Sequence, residues 1–138
     1  MYNYMLFEYI ISFLLLHAID YGYLVLNKTK ISKYITTIQL EPIQFKYKYM
    51  FISYILICYA LHLFVMPKIR DTHILKDSIY YGTSIGIVMY GVSILHNMAL
   101  FTKQNKYLIY SDLLLRTISI IIVIYTTKKI SLFFKHVI

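Results

Sequence analysis

The sequence predicts an all-α, polytopic membrane protein: a bundle of four transmembrane helices with a short interfacial segment between the first and second. Three observations predict it. Of the 138 residues, 59% are hydrophobic and only 14% are charged, whereas soluble domains run about 45–50% apolar and roughly 25% charged. Four apolar stretches approach the ~20 residues that a helix needs to cross a ~30 Å hydrocarbon core. No stretch alternates apolar and polar residues as a strand would, and a transmembrane barrel needs more chain. A chain of this length forms one domain.

The first span is expected at residues 5–26. Its start lacks a basic region, and no small-residue cleavage site follows, so it reads as a retained span rather than a signal peptide. The link that follows, Asn27 to Lys48, carries five lysines. Ile31, Ile35 and Ile38 recur there at helical spacing, with Lys30 just before them and Lys33 among them. That pattern predicts a short helix lying in the headgroups and ended by Pro42. The second span is expected at 49–66, stopped by Pro67. The third is expected at 78–101 and the fourth at 107–125. The five-residue link between them forces a tight antiparallel helical hairpin.

The formal net charge of +8 does not point to nucleic acid. Most lysines flank apolar runs, where they set topology and meet lipid headgroups. The lysine-rich first link against a charge-poor N-terminus favours a cytoplasmic first link. The single cysteine, Cys58, lies within the second span and reads as a buried, inert thiol. Abundant Ile, Lys, Tyr and Phe with scarce Ala, Arg, Gly and Pro suggest an A/T-rich genome, such as that of a large virus, an organelle, a parasite or a low-GC bacterium.

Polar residues inside the spans carry the functional interest, because a mid-bilayer charge costs ~2.5–3.5 kcal/mol on insertion scales. Asp20, Asn97 and Asp112 fall on three different spans. With ~1.5 Å rise per residue they reach one level, roughly 6–9 Å below the same interface. Arg116 lies one turn deeper, at i+4 from Asp112, where the two can pair. His96 and Tyr23 lie at similar depth. These six residues form the expected intramembrane cluster, readable as a proton or ion path, as a headgroup pocket or as a clasp that fixes helix register. Gly82, Gly86, Tyr90, Ser93 and Asn97 step along the third span by fours and threes. The first four are expected to pack against another helix, since the Gly-x-x-x-Gly spacing permits close approach. Glu8 sits near the opposite interface, and His17 and His62 read as lone packed side chains.

The run from Tyr81 to Asp112 resembles the family of predicted membrane proteins called domain of unknown function 2177. The family's third span is glycine-spaced and ends in Tyr…Thr-Asn-x-Ala, followed by a short loop and an Asp opening the fourth span. Gly82, Gly86, Tyr90, Asn97, Ala99 and Asp112 match. Asp20, Tyr23 and Leu24 stand where the family has Asp followed by Trp-Leu. Ile94 stands where the family has an acid, His96 where it has Thr, and Leu115-Arg116 where it has Trp-Gly. The resemblance implies four spans. It implies no activity. Members occur in bacteria and in large DNA viruses, and the composition suits the latter.

No Ser/His/Asp set, phosphate-binding loop or HExxH motif is present, so no catalytic residue, metal or cofactor is expected. The expected function is a structural or assembly component of a membrane, with a virion or host internal membrane favoured. The expected partners are the lipid bilayer and other membrane proteins or further copies of the chain. One alternative is a small oligomeric transporter or channel using the Asp/Asn/Arg cluster. Others are a hydrophobic accessory subunit of an organelle complex and an enzyme acting on lipid headgroups.

Overall fold

A computed structural model describes residues 2–39, 47–100 and 106–137. Among these residues there are helices and turns and no strand. Helix α1 runs Tyr2–Gln39 and α2 runs Tyr47–Ala60. The second span then continues through a π turn, Leu61–Val65, and a 3-10 turn, Met66–Lys68. The third span is α3 (Ile74–Gly86), a π turn (Ile87–Gly91) and α4 (Val92–Leu100). Helix α5 covers Lys106–Val137. Four stretches are long and apolar enough to cross a membrane: Met5–Thr37, Tyr47–Lys68, Ile74–His96 and Ile109–Lys135. Even in the best packed of them only 33% of the apolar window is buried. The remaining apolar surface needs a hydrocarbon solvent, and the chain is a membrane-embedded protein.

Two helices outrun the expected spans. At 1.5 Å per residue the 38 residues of α1 reach about 57 Å, and the helix does not stop where the apolar run stops. Polarity changes at Asn27, but helicity does not. No proline or glycine interrupts the chain from Tyr23 to Gln39. Two of the side chains that could compete with the helix are turned back onto it. Asn27 Nδ2 donates to the Tyr23 carbonyl at 3.1 Å, and Thr37 Oγ1 donates to that of Lys33 at 2.8 Å. The first part of the link is thus a continuation of α1. Pro42, expected to end it, lies outside the described residues. Likewise α5 lacks Gly and Pro throughout and runs past the expected end at residue 125.

Pro67 ends the second span as its chemistry requires. It offers no N–H, and its ring crowds the carbonyl four residues back. The ladder widens into the π turn, tightens into the 3-10 turn and stops with Ile69 extended. A bidentate clasp then closes the link to α3. Asp77 accepts from the Arg70 backbone N–H at 3.0 Å, from Nε at 2.8 Å and from Nη2 at 2.7 Å. This bonding holds the Arg70 guanidinium above its ordinary pKa. Lys128 of α5 reaches Asp71 at 3.3 Å, tying the same link to the end of the fourth span.

The spans pack in the order second, first, fourth, third. Helices α1 and α5 run antiparallel, with contacts at three levels. The Phe7 and Phe134 rings meet edge to face at 5.1 Å. The buried hydroxyls of Ser12 and Thr127 share a hydrogen bond of 3.0 Å. Arg116 Nη1 lies 3.6 Å from Asp20 Oδ2. The first of these contacts sets the start of the chain beside its end, on one side of the bundle. Helix α2 holds α1 through the Tyr9 hydroxyl, which donates to the Ile55 carbonyl at 2.8 Å, and through the Phe13–Phe51 ring pair at 5.2 Å. Between third and fourth spans, glycine sets the distance. A Cβ on Gly82 would lie 2.8 Å from Ile121 Cγ1, and one on Gly86 would lie 3.1 Å from Thr117 Cα. In a bilayer such close approach adds dispersion contacts that lipid tails do not match. The core includes Leu16, Cys58, Leu61, Ile120, Val123 and Ile124, all essentially inaccessible.

Candidate functional site

The polar residues of α1 and α5 meet because both helices are straight continuations of apolar runs that cross antiparallel. Asp112 and Arg116 lie one turn apart on α5, and Arg116 Nε donates to Asp112 Oδ2 at 2.8 Å. The same guanidinium reaches across to Asp20 of α1 at 3.6 Å. One cation thus stands between two carboxylates of different spans. Six residues past the start of α5, Asp112 lies about 9 Å along the helix; Arg116 lies about 15 Å along it.

Three tyrosines surround the ions. The Tyr90 ring of the third span lies under the guanidinium, 5.4 Å from centroid to Cζ, within cation–π range. Tyr54 of α2 and Tyr23 of α1 share the same wall with Asp20 and Asp112. Together they line a cavity of about 510 Å³, to which all four spans contribute. Ser53 and Ser93 add hydroxyls to its wall. Below the Tyr54 and Arg116 level the bundle closes. Leu16, Cys58, Ile120 and Val123 fill it, followed by the Ser12–Thr127 pair. The cavity is therefore blind: it lies in one half of the bundle, on the side of the first and third links.

The backbone explains the room. An α ladder through the third span would keep Gly82, Gly86, Tyr90 and Ser93 on one packed face. The π turn at Ile87–Gly91 winds less per residue and shifts that face. Gly82 and Gly86 precede it and are buried against α5, Tyr90 is half-buried, and Ser93 is exposed on the cavity wall. Ser93 thus borders the cavity instead of packing between helices, as its spacing had suggested.

Of the residues expected to cluster, the structure brings Asp20, Tyr23, Asp112 and Arg116 together. His96 is exposed and does not line the cavity. The side chain of Asn97 lies outside the described residues. Tyr54 and Ser53 are additions that sequence reasoning missed. The usable signal was a tyrosine deep in an apolar span, away from the interfacial belt where tyrosines usually sit. The other two histidines of the apolar spans are held locally. His17 stacks on Phe13, and His62 Nδ1–H donates to the Cys58 carbonyl at 2.9 Å. Among the described residues no three His, Cys, Asp or Glu side chains converge as metal ligands would.

The triad serves one structural purpose: the guanidinium compensates two carboxylates of different spans, and its removal strands both acids in low dielectric. It serves a chemical one too, since two carboxylates against one guanidinium leave the cavity wall with a formal charge of −1. No family model, curated protein or solved structure matches the chain.

Proposed function

We propose that the chain is a small, non-enzymatic component of a membrane whose bundle carries a ligand vestibule on one side. The observation that supports this reading is the blind cavity of about 510 Å³, lined by all four spans and walled by the Asp20–Arg116–Asp112 triad. Ligand pockets commonly span ~300–1,000 Å³ and pair apolar walls with a few fixed polar groups. Leu24, Met50, Ile57 and Ile94 supply the apolar part. A plugged half-bundle favours binding over conduction within one chain. The membrane we assign is a viral or host internal one. Support for it comes from the A/T-codon residue usage of the chain.

Sided cysteine labelling tests the vestibule. Ser93→Cys, in a chain reconstituted with known orientation, should react with a membrane-impermeant maleimide from the side of the first and third links only. Ile120→Cys should react from neither side. Labelling of Ser93→Cys from the opposite face, or of Ile120→Cys from both, would indicate a continuous path and favour the transporter reading. Proteoliposomes should then also pass ions, whereas the vestibule reading expects no flux.

A further inference from the structure

We infer that the vestibule takes a protonated amine, an inference that rests on the reading of the cavity as a ligand site. Arg116 satisfies one carboxylate closely, Asp112 at 2.8 Å, and the other loosely, Asp20 at 3.6 Å. Asp20 is the more deeply placed acid, its side chain 12% exposed against 32% for Asp112. A buried carboxylate with incomplete compensation favours a second cation. The surrounding groups specify which kind. Protein metal sites commonly gather three or more His, Cys, Asp or Glu ligands, and no such group exists among the described residues. An ammonium needs one or two carboxylates and tyrosine hydroxyls or ring faces. Tyr54 and Tyr23, which share the cavity wall with Asp20 and Asp112, and the Ser53 and Ser93 hydroxyls provide these. The apolar walls then fit the carbon skeleton that carries the amine. The amine can come from an aminophospholipid headgroup or from a free alkylamine.

The probe is octylammonium, titrated against the full-length chain in maltoside micelles, with octanol and octyl sulfate as neutral and anionic matches. A bimane fluorophore on Ser93→Cys reports occupancy. Octylammonium should bind at least tenfold more tightly than either match. Asp20→Asn should weaken it tenfold or more. Because Asp20→Asn could fail to fold, Ser53→Lys, which adds a cation at an exposed wall position, provides a second variant with the same expected loss. Equal binding of octanol and octylammonium, or full affinity in the folded variants, would overturn the inference. Ser93→Cys accessible from one side without any preference for the cation would retire the amine and leave the vestibule. Ser93→Cys inaccessible from that side would retire both. Short-chain phosphatidylethanolamine competing where phosphatidylglycerol does not would identify the headgroup as a source; competition by neither, with octylammonium still bound, would identify free amines.

Discussion

Replacing Arg116 by leucine removes the one cation that two carboxylates share. At 4 Å and an effective dielectric of about 20, each pair interacts by roughly 4 kcal/mol before desolvation. Breaking a fully buried pair costs about 3–5 kcal/mol. Arg116 and Asp112 each keep about a third of their side-chain surface exposed, at 33% and 32%. Screening by that water lowers the expected loss to about 2–3 kcal/mol. The double variant Asp112→Asn with Arg116→Leu strands only Asp20 and removes the repulsion between two acids. It should cost about 1–2 kcal/mol, less than Arg116→Leu alone. The assay is reversible unfolding in mixed maltoside and dodecyl sulfate micelles, followed by far-ultraviolet circular dichroism and arranged as a double-mutant cycle. Costs for Asp112→Asn and Arg116→Leu that simply add would refute the triad. The three groups would then be separately solvated anchors.

Close packing of the third and fourth spans makes Gly82→Ala and Gly86→Ala costly, about 1–3 kcal/mol each, because backbone Cα atoms of α5 stand 3.2 and 3.1 Å from the new methyls. Gly22→Ala meets nothing within 4 Å and should be neutral or stabilising by up to ~1 kcal/mol; the same unfolding assay compares all three. Ser12→Ala leaves the Thr127 hydroxyl unpaired in the core and should cost about 0.5–1.5 kcal/mol. Adding Thr127→Val should recover part of that loss. Asp77→Asn breaks the clasp on the Arg70 backbone, and hydrogen exchange at the Arg70 amide should quicken while exchange in the middle of α5 stays unchanged. Cysteines at Asn3 and Lys135 should label from one face of the membrane and a cysteine at Lys106 from the other, since Phe7 meets Phe134 at 5.1 Å.

Hydropathy made the four spans legible because the bilayer demands one property of about twenty consecutive residues. It misplaced the ends of α1 and α5 because hydropathy reports solvent, whereas a helix ends where a proline, a glycine or a competing side chain ends it. Between Tyr23 and Gln39 no proline or glycine occurs, and Asn27 and Thr37 bond back to their own helix. Asp20, Asp112 and Arg116 were legible from depth arithmetic, since antiparallel spans of known length fix which levels meet. The glycine pair was legible from its spacing. Ser93 was not, because a π turn shifts the helical phase and its sequence signal is weak: Gly91 at its end is compatible with one and does not require it. Tyr54 was hidden for a different reason. It belongs to a span without Asp, Glu, Lys or Arg between residues 49 and 66, and only the packing of α2 against α1 brings it onto one wall with Asp20.

The Arg116–Asp20 contact tests the account most directly. Asp112 sits on the same helix as Arg116 and would pair with it in an isolated helix, so that contact says nothing about the bundle. Asp20 belongs to the first span and meets Arg116 only if the first and fourth spans pack antiparallel at this level. Solid-state NMR on the full chain in lipid, with arginine guanidinium nitrogens and aspartate carboxyl carbons labelled, measures both contacts in one sample. Dipolar contacts are expected from Arg116 to Asp112 and to Asp20, the latter lost in Asp20→Asn or shifted to the amide carbon. An Arg116 that contacts Asp112 and lipid phosphate, with no contact to Asp20, would contradict it.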